Sequence, residues 1–141
     1  MPDPTSSRRR FLALLALALV PRAVFATDAT RRHRGGPIVH PTPRPGITAA
    51  RVLHAKQLEI QRAAPVFDMV REIPAVVDGI HCYCGCASQK GFYSLLSCYE
   101  DGMAQHCEIC QGEARLAYKL HADGWSLNGI RGSIDAAFGD R

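Results

Sequence analysis

Six cysteines lie within 29 consecutive residues of this chain, and none occurs elsewhere. They are Cys82, Cys84, Cys86, Cys98, Cys107 and Cys110. Cysteine at this density has three common uses: the thiolates bind a soft metal ion, pair as disulfides, or carry out redox chemistry. Which of these applies decides what the chain can do.

The spacing of the cysteines places them in two groups with one thiol between. The first three alternate along the chain, so in an extended segment they point to the same side, and Gly85 allows the loop to fold tightly. Cys107 and Cys110 share one face at the start of a predicted helix, where the helix N-terminus lowers the pKa of a thiol. Cys98 ends a short predicted helix between the groups. We therefore predict a C-x-C-x-C loop that docks on the C-x-x-C helix start.

Metal binding is the leading interpretation of this pattern, with all six cysteines as ligands. Thiolates select Cu(I), Zn(II) or iron–sulfur clusters. Four of them would make a zinc or [2Fe–2S] site, and six a small multinuclear Cu(I) cluster. We expect Cu(I) handling, as in a chaperone, storage or resistance protein, with an iron–sulfur cluster or zinc as the alternatives. His81 and His106 each adjoin a cysteine and are additional candidate ligands.

Two other interpretations of the cysteines stay open. An even number of cysteines in a small exported domain is typical of a disulfide framework, which would make the chain a structural or interaction module. The C-x-x-C motif of Cys107 and Cys110 is typical of thiol–disulfide redox proteins, although no βαβ pattern accompanies it. Gln111 follows the motif where a c-type haem requires histidine. No other catalytic set is apparent, so a protein without enzymatic activity is favoured over an enzyme.

The N-terminus has the pattern of a signal peptide. Residues 7–12 read Ser-Arg-Arg-Arg-Phe-Leu, which resembles the twin-arginine consensus. The apolar run over residues 11–20 suits a signal and is too short to span a bilayer. We predict a signal peptide over residues 1–26 and export through the twin-arginine pathway, to the periplasm or otherwise out of the cytoplasm. Substrates of that pathway cross already folded, so a metal can be loaded in the reducing cytoplasm and protect the thiolates afterwards.

Composition then divides the rest of the chain. Residues 27–46 are rich in arginine and proline and predict a disordered arm. Residues 47–141 form the predicted domain, which carries nine Lys/Arg and eleven Asp/Glu, so the net charge of +4 comes from the signal and the arm. A domain without a basic face predicts no nucleic-acid partner. We expect membrane contact only during export, and a partner protein that donates or accepts metal.

Hydrophobic periodicity predicts a mostly α-helical fold for the domain. Apolar residues over 49–70 recur at three- and four-residue steps, and Pro65 either kinks this helix or begins a second one. Residues 75–80 are a short apolar stretch for which a strand stays open. Further helices are predicted over 91–99, over 109–122, and from an N-cap at Ser126 to Gly139.

Three segments around the cysteines together form a specific pattern. Residues 81–86 read His-Cys-Tyr-Cys-Gly-Cys, residues 94–99 Ser-Leu-Leu-Ser-Cys-Tyr, and residues 107–114 Cys-Glu-Ile-Cys-Gln-Gly-Glu-Ala. This pattern resembles the PCYCGC-motif family of exported bacterial proteins, with all six cysteines at matching positions. His81 stands where the motif name has proline, and many relatives look like lipoproteins, whereas this chain has no lipidated cysteine. The resemblance supports the fold and the cysteine site and implies no particular activity.

Overall fold

The computed structural model describes residues 38–139, and this part of the chain is mostly helical and contains no strand. The α-helices are α1 (Ala64–Glu72), α2 (Pro74–Asp78), α3 (Ser97–Glu100), α4 (Glu108–Ala122) and α5 (Leu127–Phe138). Short 3-10 helices occur at Ala49–Arg51, Ala55–Gln57, Gln61–Ala63, Cys86–Ser88 and Met103–His106. The predicted α-helical class is confirmed. The predicted signal peptide and residues 27–37 of the predicted arm lie outside the described residues.

The segment before α1 differs from the continuous helical stripe that periodicity predicts. Residues 49–63 form three separate 3-10 turns, and α1 begins only at Ala64, with Pro65 in its first turn. The backbone N–H groups of Glu59 and Ile60 donate to Gln105 Oε1, at 2.8 and 3.0 Å. Because these amides are satisfied by a side chain, they are not available to a helical ladder. The prediction of a helix over this segment is therefore wrong.

In two shorter segments, nearby residues explain which secondary structure forms. Residues 74–78 are α2 and not a strand, with Pro74 in the first turn, where its missing N–H costs no hydrogen bond. Within the region predicted as a helix over residues 91–99, an α-helix begins only at Ser97, the first residue of α3. Ser97 Oγ accepts from the backbone N–H of Tyr93 and of Ser94, at 3.0 and 3.4 Å. Such side-chain bonds compete with helical hydrogen bonds and delay the start of the helix.

The last two helices agree closely with the sequence prediction. Helix α4 ends before Gly124, whose φ of +82° is the left-handed conformation expected just after a helix. Ser126 caps α5 by accepting from Gly129 N–H at 3.3 Å, and Gly139 follows its last residue. Helix α4 packs against both α1 and α5, so it forms the centre of the fold.

Residues 38–46, which we call the N-terminal strap, lie against the helical domain. His40 Nε2 bonds Asp135 Oδ1 on α5 at 2.8 Å, and His40 Nδ1 accepts from the backbone N–H of His81 at 3.1 Å. Arg131 Nη2 donates to the carbonyl oxygen of Pro41 at 2.7 Å. This part of the predicted arm is therefore attached both to α5 and to the start of the cysteine loop.

The strap is also held by an ion pair between Arg44, whose side chain is 30% exposed, and the buried Asp78. The Asp78 side chain is fully buried, and it accepts from Arg44 Nη2 at 2.7 Å and from the Arg44 backbone N–H at 2.7 Å. Ser94 Oγ donates a further bond at 2.7 Å. Burial acts to raise the pKa of Asp78, but the hydrogen bonds and charge of Arg44 outweigh it and hold the pKa below its usual value. Asp78 is therefore a paired, ionised carboxylate in the core.

Candidate metal centre

Five of the six cysteines meet in one place, which we call the five-thiol group. Its members are Cys82, Cys84, Cys86, Cys98 and Cys110. Their Sγ atoms all lie within 4.8 Å of one another, and four of the five residues are buried, Cys84 being half-buried. The arrangement has the size and composition of a site for a metal ion.

Three elements of the fold deliver these thiols. The loop after α2, together with the Cys86–Ser88 helix that ends it, carries three of them, α3 carries Cys98, and the first turn of α4 carries Cys110. The loop folds as a turn and not as an extended segment, because Gly85 adopts a φ of +89°. Cys82 Sγ lies 3.6 Å from Cys110 Sγ. The predicted docking of the loop on the helix start is confirmed.

The distances between the sulfur atoms fit coordination better than bonding between sulfurs. Cys82 Sγ lies 3.2 Å from Cys84 Sγ, 3.6 Å from Cys110 Sγ and 3.7 Å from Cys98 Sγ. Cys84 Sγ lies 2.7 Å from Cys86 Sγ and 3.5 Å from Cys110 Sγ. A disulfide bond is about 2.05 Å long, and all six cysteines are free thiols. Tetrahedral sulfur ligands about 2.3 Å from a metal ion lie roughly 3.8 Å apart, close to most of these values.

Hydrogen bonding within the group makes one thiol more acidic than its neighbours. Hydrogen bonds with Cys110 and Cys98 lower the pKa of Cys82 and outweigh the opposing effect of burial. The bonds with Cys82 and Cys98, together with burial, raise the pKa of Cys110. Burial and the bonds with Cys86 and Cys82 raise the pKa of Cys84. The thiolate form is therefore favoured at Cys82 and disfavoured at Cys84 and Cys110.

Glu113 is a member of this site that the sequence analysis missed. Its side chain is fully buried on α4, Oε1 accepts from the Tyr83 backbone N–H at 2.8 Å, and Oε2 has no partner among the described residues. Burial raises the pKa of Glu113 to about 9, and the negative charge of Cys82 acts in the same direction. An unpaired buried oxygen beside thiols is the kind of atom that a bound cation or proton satisfies. Its position three residues after Cys110, on the same face of the helix, is the signal that could have identified it.

The other predicted ligands lie outside the five-thiol group. Cys107 is the N-cap of α4, and its Sγ accepts from the Cys110 backbone N–H at 3.4 Å. The ring of His81 packs edge-on against Tyr83, with centroids 5.1 Å apart. His106 is more than half exposed, and its Nε2 lies 3.9 Å from Glu59 Oε2. The structure therefore gives each of these three residues a local contact and does not bring it into the group.

A surface cleft reaches the group from the side of the loop. Its volume is about 390 Å³, and it is lined by His81, Cys82, Tyr83, Gly85, Ala87 and Ser88. Cys82 is thus the thiol of the group that lines the cleft, and its side chain is almost completely buried, whereas Cys84 is half-buried.

The positive φ of Gly85 is expected to make this glycine important for the stability of the domain. A Cβ at this position would meet no atom within 4 Å, so only the positive φ opposes a larger residue. We expect Gly85→Ala to lower the free energy of unfolding by about 1–2 kcal/mol, measured by urea denaturation. The matched control is Gly132→Ala within α5, where space is also open and φ is ordinary. That control should be neutral or stabilising by up to about 1 kcal/mol, and an equal destabilisation in both variants would contradict the prediction.

Comparison with known proteins adds no identification to this geometry. No protein-family model, characterised protein or solved structure matches the chain. Among the described helices, none has both the length and the apolar character needed to cross a membrane.

Proposed function

We propose that this chain is an exported protein that binds Cu(I) through the five-thiol group, as a copper chaperone or storage protein. The observation that carries the proposal is the convergence of five Sγ atoms within 4.8 Å in the interior of the domain. Thiolates are soft ligands and select Cu(I), Zn(II) or iron–sulfur clusters, and of these we propose Cu(I). The bound ion is the cargo of the protein, and no catalytic step is assigned to it.

The surroundings of the group support a cation that is kept away from water. Cys98 and Cys110 are fully buried, and the fully buried Tyr99 donates its hydroxyl to the carbonyl oxygen of Cys110 at 2.9 Å. A dry apolar environment limits solvent access to a metal site, and it protects both thiolate and Cu(I) from oxidation. Among the described residues, none offers an imidazole nitrogen within the group, which favours Cu(I) over harder divalent ions.

Export and family membership are parts of the same proposal that come from the sequence. The twin-arginine-like pattern of residues 7–12 supports passage across the membrane in the folded state, after copper has been loaded, to the periplasm. The match of all six cysteine positions supports membership of the PCYCGC-motif family. The partner we propose is a protein that donates or accepts Cu(I). Exchange keeps copper monovalent, because each Cu–S bond that breaks is replaced by one to a thiolate of the partner.

Elemental analysis combined with a thiol count tests this function. The exported protein is purified without oxygen, and the same sample is assayed for metals and for free thiols under denaturing, chelating conditions. We expect at least one copper ion per chain and four to six free thiols. Zinc or iron in place of copper would contradict the choice of metal. Absence of metal would overturn metal binding: with no free thiol the result indicates a disulfide module, and with two free thiols a redox pair at Cys107 and Cys110.

A further inference from the structure

We infer that the five-thiol group holds more than one Cu(I) ion, as a polynuclear cluster in which the middle thiols Cys82, Cys84 and Cys110 are shared between ions. This inference rests on the proposed function and adds the number of ions and the way in which sulfur is divided among them. It follows from the number of sulfur atoms, their pattern of contacts and the charge of their surroundings.

The number of thiols exceeds what a single ion uses. A structural site for one tetrahedral ion takes four ligands, so one of the five buried cysteines would have no place in it. All five Sγ atoms nevertheless lie within 4.8 Å of one another, roughly twice a metal–sulfur bond of about 2.3 Å. Cu(I) is satisfied by two or three thiolates, and a thiolate sulfur can bind two ions. Several ions that share sulfurs use the whole group.

The contacts between sulfur atoms form two overlapping sets. Cys98 lies 3.7 Å from Cys82 and also bonds Cys110, and Cys86 lies 2.7 Å from Cys84. Cys82 and Cys84 lie 3.2 Å apart, and each is also close to Cys110, at 3.6 and 3.5 Å. The two thiols at the ends of the group, Cys98 and Cys86, therefore have different neighbours, and the three in the middle connect them. This is the connectivity expected when the middle thiolates bridge.

The charge of the surroundings also favours several cations. Each sulfur that binds a metal ion does so as a thiolate, so full use of the group would place five negative charges in the interior, next to the buried side chain of Glu113. No lysine or arginine side chain in residues 38–139 forms a hydrogen bond or ion pair with the group or with Glu113. Buried charges require partners, and here the bound ions are the available source of positive charge. A single Cu(I) ion would neutralise one thiolate, whereas several would neutralise most of the group.

Native mass spectrometry of the exported protein, titrated with Cu(I) without oxygen and in the presence of a competing Cu(I) chelator, tests this inference. We expect the chain to saturate with more than one copper ion, and X-ray absorption of the saturated sample to show a copper–copper scattering path. Saturation with one ion would overturn the inference while leaving the proposed function intact. Failure to retain any copper would overturn both. Several ions without a copper–copper path would indicate separate sites and would also overturn the cluster.

A pair of cysteine variants locates the ions within the group. Cys98→Ser should lower the saturating number of copper ions by at least one without abolishing binding. Cys107→Ser is the matched control: the thiol lies outside the group, and serine is a better N-cap than cysteine, so the number should be unchanged. Equal losses in both variants would overturn the assignment. If Cys98→Ser does not fold, as judged by circular dichroism, Cys86→Ser at the other end of the group provides the same test.

Discussion

Replacement of Cys82 by serine is expected to lower the affinity for Cu(I) by more than about 100-fold. Loss of a group that merely orients a ligand costs about 10–100-fold in metal affinity, and Cys82 is a direct ligand in the proposed site. It is also the thiol with three sulfur neighbours that lines the surface cleft. Serine keeps the size of the side chain and removes the soft sulfur. The measurement is competition with a Cu(I) chelator of known affinity, without oxygen.

The same competition with Cys107→Ser is the control for this prediction. Both variants lose one thiol and carry the same new side chain, so general effects of losing a cysteine cancel between them. We expect the Cys107 variant to stay within a factor of a few of the unaltered protein. If both variants bound Cu(I) equally well, Cys82 would not be a ligand.

Arg44→Ala is expected to lower the free energy of unfolding by about 3 kcal/mol. Removing one partner of a buried ion pair costs about 3–5 kcal/mol, because the other charge stays in the interior without compensation. Here Asp78 keeps two donors, the backbone N–H of residue 44 and Ser94 Oγ, so the lower end of that range applies. Urea denaturation of the purified protein, at constant metal content, measures the change.

Arg51→Ala is the matched control, because Arg51 also pairs with a carboxylate but does so at the surface. Its Nε donates to Glu100 Oε1 at 2.7 Å, and about half of its side chain is exposed. An exposed pair contributes about 0–1 kcal/mol, so this variant should be nearly as stable as the unaltered protein. Similar losses of stability in both variants would show that Asp78 does not depend on Arg44.

The response to acid provides a second measurement on the same two variants. Because Arg44 holds the pKa of Asp78 down against the effect of burial, the folded protein binds fewer protons than the unfolded chain as pH falls through about 4. The stability that Asp78 contributes is therefore complete above that pH and is lost below it. Arg44→Ala removes the cause of the low pKa and leaves burial, which raises it, so the stability that this variant lacks at neutral pH should shrink as pH falls through about 4. Arg51→Ala should keep the acid transition of the unaltered protein.

The parts of the fold that could be predicted are those encoded by residues close together in sequence. Helix α5 was defined by the Ser126 cap and the glycine after its last residue, and α4 by apolar periodicity and Gly124. The segment over residues 49–63 has a similar periodicity but does not form one helix. Its amides bond to Gln105, which is more than forty residues away. The local sequence pattern cannot show that a side chain from a distant part of the chain bonds these backbone N–H groups in place of a helical carbonyl.

The candidate site also has a part that could be predicted from nearby residues and a part that could not. Cysteine spacing alone indicated a loop that docks on a helix start, and five of the six predicted thiols converge. The spacing could not show that Cys107 lies outside the group as the N-cap of α4. A cysteine three residues before Cys110 can be a metal ligand or a helix cap, and the spacing is the same in both cases. Glu113 was overlooked because a glutamate in a helix is usually solvated. Its position three residues after Cys110 indicates a shared helix face, and its complete burial in the structure makes it part of the site.

The strap has a consequence for the order in which the domain is assembled. His40 contacts Asp135, 95 residues further along the chain, and Arg131 contacts Pro41 across 90 residues. Contacts between such distant positions close large loops and slow folding. They cannot form until the ribosome has released the last helix, so during synthesis the cysteines between them are made before their enclosure is complete. We therefore expect copper to have its widest access to these thiols in the newly made chain, before the two ends of the domain join.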